Sequence, residues 1–415
     1  MRTHKNILLG LFLCNSLLAV AQTTNTGELS ILPNTQMGIV DDFSNTPTGS
    51  VMNDGELFVY SNFNNDGLFS YFDPSANGLT RFEGASVQKL TGNSLSEFYD
   101  VLFNNASTQF AFELSGDLTI ANTAEFFQGI VKNDDFGGSV SFQELAGHIN
   151  TSNDSYVDGL VYKNGNTAFE FPIGDAGFYR KAGISAPDNI NDLFASKYFL
   201  ENSDPLYPHA LAVGVVEYID DTEYWTITKE QGAADVMVTL SWDTNTSPIE
   251  ITNAPETALR IVHWDATQGF WVDHASVVDV NNQTVTTVAE VDDYGIFTLA
   301  TVKEALILPD DVVIYNGISP DGDGDNDFFF IDGIAKYPDN TVEIFNRWGV
   351  KVFETSGYNE TNNVFRGISD GRITINKEEQ LPVGTYFYII KYDTGGSEPQ
   401  KVKKAGYLYI NSDKK

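Results

Sequence analysis

The sequence predicts an all-β protein: an N-terminal β-helix-like or sandwich region, a middle β-sandwich, and a C-terminal Ig-like antiparallel β-sandwich. Three observations lead there. No segment sustains the 3.6-residue apolar period of a helix. Alternating or β-rich runs recur instead, and aromatic residues at 13% favour strands. Turn dipeptides separate the runs: Asp54-Gly55, Asp66-Gly67, Asn77-Gly78 and Asn164-Gly165. A short helical turn is expected only in places such as Ala186 to Phe194.

The elements follow in order. Residues 1–21 read as a signal peptide. Arg2 and Lys5 give a positive start, Ile7 to Val20 is mostly apolar, and Ala19-Val20-Ala21 predicts cleavage before Gln22. The apolar stretch falls short of the ~20 residues a membrane-spanning helix needs. The single cysteine, Cys14, lies inside this stretch, so disulfides and thiol chemistry are excluded beyond it. The mature chain is expected outside the cytoplasm. Residues 22–155 are rich in Asn, Gly, Ser and Phe, with strands at Glu56 to Tyr60, Gly67 to Phe72 and Gln109 to Leu114. Their rhythm suggests stacked β-helix rungs, but no clean repeat period emerges, which leaves a sandwich open. Residues 156–306 carry longer strands and four of the five tryptophans. Val236 to Trp242, Leu259 to Trp264 and Gly295 to Ala300 read as sandwich strands. Residues 307–311 form a linker, and 312–415 a third domain.

Charge is distributed unevenly. Residues 22–307 hold 10 basic and 40 acidic residues, whereas 308–415 hold 12 and 17. So acidic a surface repels nucleic acid and anionic lipid. It suits a calcium-rich exterior, and solubility alone also accounts for it.

The third domain carries the most specific signals. Thr341 to Phe345 and Val350 to Phe353 flank Asn346-Arg347-Trp348-Gly349, which reads as a tight hairpin. Gly384 to Tyr392 alternates over nine residues, and Ala405 to Ile410 gives a closing strand. Four motifs stand in order. Asn316 to Asp327 includes Pro320 and Asn326. Phe345-Asn346-Arg347-Trp348-Gly349 follows. Then come Leu381-Pro382-Val383-Gly384-Thr385-Tyr386-Phe387-Tyr388 and Gly406-Tyr407-Leu408-Tyr409-Ile410. At these residues the chain resembles the gliding-motility-associated C-terminal domain, or type B sorting domain, of the type IX secretion system. The resemblance covers about the last quarter of the chain and leaves 22–307 unassigned. It implies passage to the periplasm and then through the type IX translocon, with a PorP/SprF-like outer-membrane protein as partner. Two departures from the family pattern, Asp321 where Asn is usual and Asp325 at a variable position, add negative charge.

Within the first motif, Asp321, Asp323, Asp325 and Asp327 alternate with Gly322, Gly324 and Asn326. Alternate carboxylates in a glycine-permitted loop can converge on Ca²⁺, which prefers six to eight oxygens. A solvated acidic turn is the plainer alternative. Arg347 is a candidate for a recognition contact or an internal ion pair, while Trp348 and Tyr386 read as packing residues. Elsewhere, His263 and His274 flank Trp264-Asp265 and Val272-Asp273 across an expected hairpin, where a metal or acid–base site is conceivable. Polar positions on a sandwich face explain them equally. Trp225, Trp242, Trp264 and Trp271 either form an aromatic platform for surface glycans or, as is commoner, fill a core. Asp220-Asp221 and Asp292-Asp293 are adjacent carboxylates that sequence alone does not place across a sugar bond. No metalloprotease, nucleophile-elbow or phosphate-loop motif is present. The reading is a non-enzymatic, adhesin-like or accessory envelope protein. Its rivals are a glycan-binding protein or hydrolase in 22–307, and a structural component of the secretion or gliding machinery.

Overall fold

The alternating runs between residues 22 and 175 coil into a three-sided parallel β-helix. The computed structural model describes residues 22–411 apart from 73–76, 108–109, 213–215, 268, 303–311, 321, 323–325, 347–349, 370–379 and 394–400. The expected signal peptide and the expected linker 307–311 therefore lie outside the described residues. The chain divides into two units, one through Val302 and one from Lys303.

In the first unit, one side of the helix is a parallel ladder running from Gln22–Asn25 through Asp42–Asn45, Phe63–Asn65, Gln88–Thr91 and Phe112–Leu114 to Ile173–Asp175. The second side begins Glu28–Ile31, Ser50–Asn53, Leu68–Ser70, and the third Gln36–Ile39, Glu56–Val59, Leu79–Gly84. Two long strands, Ser96–Asn105 and Asp117–Gln128, serve both of these sides, with a register shift between Phe98 and Asp100. Alternation points one residue in two inward. Ile39, Val59, Phe82, Phe103 and Phe126 stack in register down one interior line, and the Phe103 and Phe126 rings lie 5.3 Å apart. A corner is held by a polar ladder: Asn25 Nδ2 donates to Asn45 Oδ1 at 2.9 Å, and Asn45 Nδ2 to Asn65 Oδ1 at 2.8 Å. Asn45 and Asn65 are fully buried, so the ladder satisfies groups that would otherwise be costly.

The N-terminal region is thus a solenoid rather than a sandwich. Its missing period has a structural reason. Partners advance 20 residues from Phe43 to Phe63, 27 from Phe63 to Leu90, 19 from Phe112 to Val131, 26 from Val131 to Val157 and 16 from Val157 to Ile173. Variable loops carry the excess, while the strands keep register.

The second side of the solenoid continues into the middle region. Val161–Asn164 pairs in parallel with Ser139–Phe142 on one edge and antiparallel with Leu193–Phe199 on the other. The sheet then runs on through Tyr224–Gln231, Gly295–Val302, Leu259–Asp265 and Phe270–His274. A second antiparallel sheet has the order Phe169–Phe171, Ala182–Ile184, Val238–Ser241, Thr284–Thr287, Ser276–Asp279. Residues of both sheets share one hydrophobic core with the solenoid. The division placed at 155/156 in the sequence therefore falls inside a continuous ladder. Within the stretch Ala186 to Phe194 the chain makes a turn rather than a helix, closed by Asp192 N–H donating to Asn189 O at 3.1 Å and leading into a strand.

The second unit has its own core, including Phe329, Ile331, Ile344, Tyr358, Ile390 and Leu408. Its five-stranded sheet has the order Gly317–Ile318, Lys401–Ile410, Gly384–Asp393, Thr341–Phe345, Lys351–Ser356. The pairs are antiparallel except the first, which is parallel. A short antiparallel pair, Val313–Ile314 with Ile331–Asp332, supplies further β structure. No helix among the described residues is long and apolar enough to cross a membrane.

Candidate functional site

The motifs of the second unit meet in its interior. Gly384–Asp393 alternates so that Tyr386, Tyr388, Ile390 and Tyr392 are buried. Tyr388 stands opposite Gly406 in the register. A Cβ on residue 406 would collide with the Tyr388 phenol, so only glycine leaves room for this ring. The Tyr388 hydroxyl donates to Asn316 Oδ1 at 3.4 Å, and the Asn316 carbonyl accepts from Tyr409 N–H at 2.8 Å. Burial holds the Tyr388 phenol protonated, far above the ordinary tyrosine range. Three motifs far apart in sequence thereby lock at one place.

The remaining motif residues shape turns. Leu381 is buried and its N–H donates to Gly367 O at 2.7 Å; the Pro382 carbonyl accepts from the Tyr386 hydroxyl at 3.0 Å. The Pro320 carbonyl accepts from Gln380 Nε2 at 3.0 Å. Gly384 opens its strand at φ 152°, a conformation side chains resist. Asn346 closes the hairpin: its N–H donates to Val350 O and its Oδ1 accepts from Val350 N–H, both at 2.9 Å. Phe345 and Tyr407 lie half-buried on the opposite, outward face. Arg347, Trp348 and Gly349 lie outside the described residues. Sequence reasoning missed Asn340 and Tyr358, which are buried and tie distant loops. Asn340 Nδ2 donates to Tyr358 O at 2.9 Å, and the Tyr358 hydroxyl donates to Phe329 O at 2.5 Å. Neither lies in a motif that periodicity could flag.

Of the acidic loop, Asp321, Asp323 and Asp325 lie outside the described residues. Asp327 accepts from Gly322 N–H at 2.7 Å, and Asn326, in a left-handed conformation at φ 55°, has its carbonyl bonded by Ser319 N–H at 2.8 Å. Among the described residues no group of three or more His, Cys, Asp or Glu side chains is arranged to hold a metal ion.

In the sandwich, His263 and His274 do meet across the hairpin. Their Nδ1 and Nε2 atoms are 2.6 Å apart, and His263 Nε2 is 3.3 Å from Asp293 Oδ2. Two nitrogens bound to one tetrahedral zinc would stand about 3.3 Å apart, so this pair shares a proton. Burial lowers both imidazoles below their ordinary range, His274 to about 3 with His263 adding to the effect, and they stay neutral. Trp225 and Trp271 are fully buried and Trp242 nearly so, which places them in cores; Trp264 is half-buried against Tyr207. Asp220 belongs to a buried knot. Its Oδ1 accepts from Thr222 and Glu223 N–H groups at 2.8 and 3.2 Å. Glu223 accepts from Ser247 and Tyr198 hydroxyls and lies 3.6 Å from Arg180 Nε. Burial, with Glu223 adding, pushes the Asp220 carboxyl up to about 8. Asp221 instead faces solvent, bonded by the Tyr218 hydroxyl at 2.6 Å.

Residues 312–410 match the family described as the CHU_C Type IX secretion signal domain. No curated protein matches the chain, and no solved structure matches it. The signal domain indicates export by the type IX system to the cell surface or the extracellular space.

Proposed function

With a C-terminal type IX secretion signal domain as the premise, we propose that the chain is a non-enzymatic, adhesin-like envelope protein displayed at the surface or released. The translocon and a PorP/SprF-like outer-membrane protein would act as its export partners, and surface glycans as the ligand class for the body. The observation that carries this reading is the first unit itself. A continuous hydrogen-bonded sheet runs from the solenoid through the sandwich, giving a stiff acidic body suited to presenting surface rather than to closing around a substrate. The His263–His274 pair, whose His263 is buried, and the buried Asp220–Glu223 knot act as internal supports in this reading.

The test deletes residues 312–415 from the native gene and compares surface protease accessibility and adhesion of cells with wild type. The expected result is a periplasmic body and reduced adhesion. Normal surface display of the truncated chain would remove the export reading. Display without any change in adhesion between wild type and a full deletion strain would remove the adhesin reading.

A further inference from the structure

We propose that the outer face of the solenoid-to-sandwich junction binds an uncharged oligosaccharide, in a cleft walled by the turn Asn133 to Gly138. The proposal rests on the reading of surface glycans as the ligand class and gives that reading a site. The cleft holds about 600 Å³, inside the range of roughly 300–1,000 Å³ typical of small-ligand sites. Its floor is the outward side of the strand that changes partners. Val161 and Lys163 point into the core, so Tyr162 points out. Ser139 and Ser141 line the cleft from the parallel neighbour, Leu193 and Lys197 from the antiparallel one. The solenoid and the sandwich therefore supply one half each. The wall is braced from beneath. Asn133 is buried; its Nδ2 donates to Leu160 O at 2.8 Å and its Oδ1 accepts from Leu160 N–H at 2.9 Å. Asp134, on the rim, is paired with Lys197. A site held in shape this way has little ordering cost left to meet on binding.

The lining chemistry selects the ligand class. The carboxylates of Asp117 and Asp134 face the single ammonium of Lys197, so the cleft is net negative and repels an anion. The Ser139 hydroxyl donates to Asp117 Oδ1 at 2.6 Å and holds that carboxylate at the edge of the floor. The hydroxyls of Ser141 and Tyr162 make no hydrogen bond to protein among the described residues, and both line the cleft. Burial, with Glu230 and Asp117 adding, raises the Tyr162 phenol above its ordinary range, so it remains a donor. Acceptors and donors are thus interleaved with the apolar carbon of Leu160, Leu193 and the Tyr162 ring. An uncharged sugar carries the complementary pattern. Each of its hydroxyls both donates and accepts, and the C–H faces of its rings lie against apolar carbon. An extended peptide would need a free sheet edge, whereas the three strands of this floor are paired on both sides.

The experiment titrates the full chain, purified from its native host, by calorimetry and saturation-transfer NMR. The probes are cellotriose, mannotriose, xylotriose and chitotriose, with trigalacturonate as the anionic counterpart. At least one uncharged probe should bind with a millimolar or tighter Kd, and trigalacturonate should not bind. Asp117→Asn should weaken that probe about tenfold, as loss of a charged acceptor does. Tyr162→Phe keeps the ring and should weaken it several-fold. Ser141→Tyr puts a strand-forming residue into the cleft and should abolish binding. Ser30→Tyr, on the exposed side of the strand Glu28–Ile31 and away from the cleft, should leave it unchanged. Melting of the first unit should match wild type in each variant, and Tyr162→Phe decides the matter if Ser141→Tyr melts early. Failure of every uncharged probe to bind, preference for trigalacturonate, or wild-type affinity in both Ser141→Tyr and Tyr162→Phe would overturn the proposal. Loss of adhesion on deleting the gene, with no sugar bound in the cleft, would remove the site and leave the adhesin reading. Sugar bound in the cleft, with adhesion unchanged by the deletion, would remove the adhesin reading and leave the site.

Discussion

In the solenoid, a buried asparagine finds its partner one rung away, 20 residues along the chain; in the signal domain, buried Tyr388 finds its partner 72 residues away. The first unit repeats one local device, a polar corner and an aromatic stack, many times. The second uses a few contacts once each, drawn from opposite ends of the domain. Damage should therefore remain local in the solenoid and spread through the signal domain.

The largest expected effect at fixed pH breaks the signal domain. Gly406→Ala drives a methyl group into the Tyr388 ring, and overpacking of this kind costs about 1–3 kcal/mol. In calorimetry of the full chain, the transition of the second unit should fall by many degrees while that of the first is unchanged. Equal loss in both would show that the two units do not unfold separately. Next comes the solenoid. Asn45→Ala removes the middle of the ladder and leaves Asn25 Nδ2 with Ser50 O alone at 3.2 Å and Asn65 Oδ1 with Gly67 N–H alone at 3.3 Å, at a cost of about 2 kcal/mol. Hydrogen exchange should rise at the rungs beside residue 45 and stay unchanged beyond Phe112.

The third prediction concerns pH and the sandwich. The Asp220 carboxyl titrates near 8 in the folded state, well above the ~3.9 of an unfolded aspartate. Between those values the folded chain holds a proton that the unfolded chain has released. This group therefore lowers stability progressively as pH rises from about 4 to about 8, and the loss is complete above that window. Asp220→Asn should flatten the slope, which this group sets at about 1.4 kcal/mol per pH unit inside that window, so the difference between pH 5 and pH 8.5 should change by about 4 kcal/mol, and the signal-domain transition should be left alone.

What the sequence made legible follows the same division. Alternation at Gly384 to Tyr392 placed the strand and Tyr386 as a packing residue on it, because a half-buried strand writes a two-residue period. Alternation also marked the solenoid strands, but their steps of 16 to 27 residues hid the repeat. The solenoid-to-sandwich boundary was hidden for another reason. Val161–Asn164 belongs to both, parallel on one edge and antiparallel on the other, and a strand's residues do not record the direction of its neighbour. His263 and His274 were seen to flank a hairpin, yet their 2.6 Å approach, which favours a shared proton over a shared metal, depends on side-chain geometry that spacing does not carry. Gly406 was visible as a motif residue, but its reason is a ring contributed from the adjacent strand.

The smallest expected effect separates packing from hydrogen bonding at the signal-domain lock. Tyr388→Phe keeps the ring that needs glycine at 406 and removes only the hydroxyl. That hydroxyl meets Asn316 Oδ1 at 3.4 Å, at the long end of the hydrogen-bond range, so its loss should cost no more than about 0.5 kcal/mol. Asn316 keeps its second tie, the carbonyl bonded by Tyr409 N–H, and its loop should stay in place. The second-unit transition should therefore drop by only a degree or two, far less than in Gly406→Ala, and export should continue at the wild-type rate. A loss as large as that of Gly406→Ala would mean that the hydroxyl, rather than the ring's fit against glycine, holds the domain together. The tyrosine at 388 would then matter for its polarity, and the three-motif lock would have to be assigned to the Asn316 contact instead.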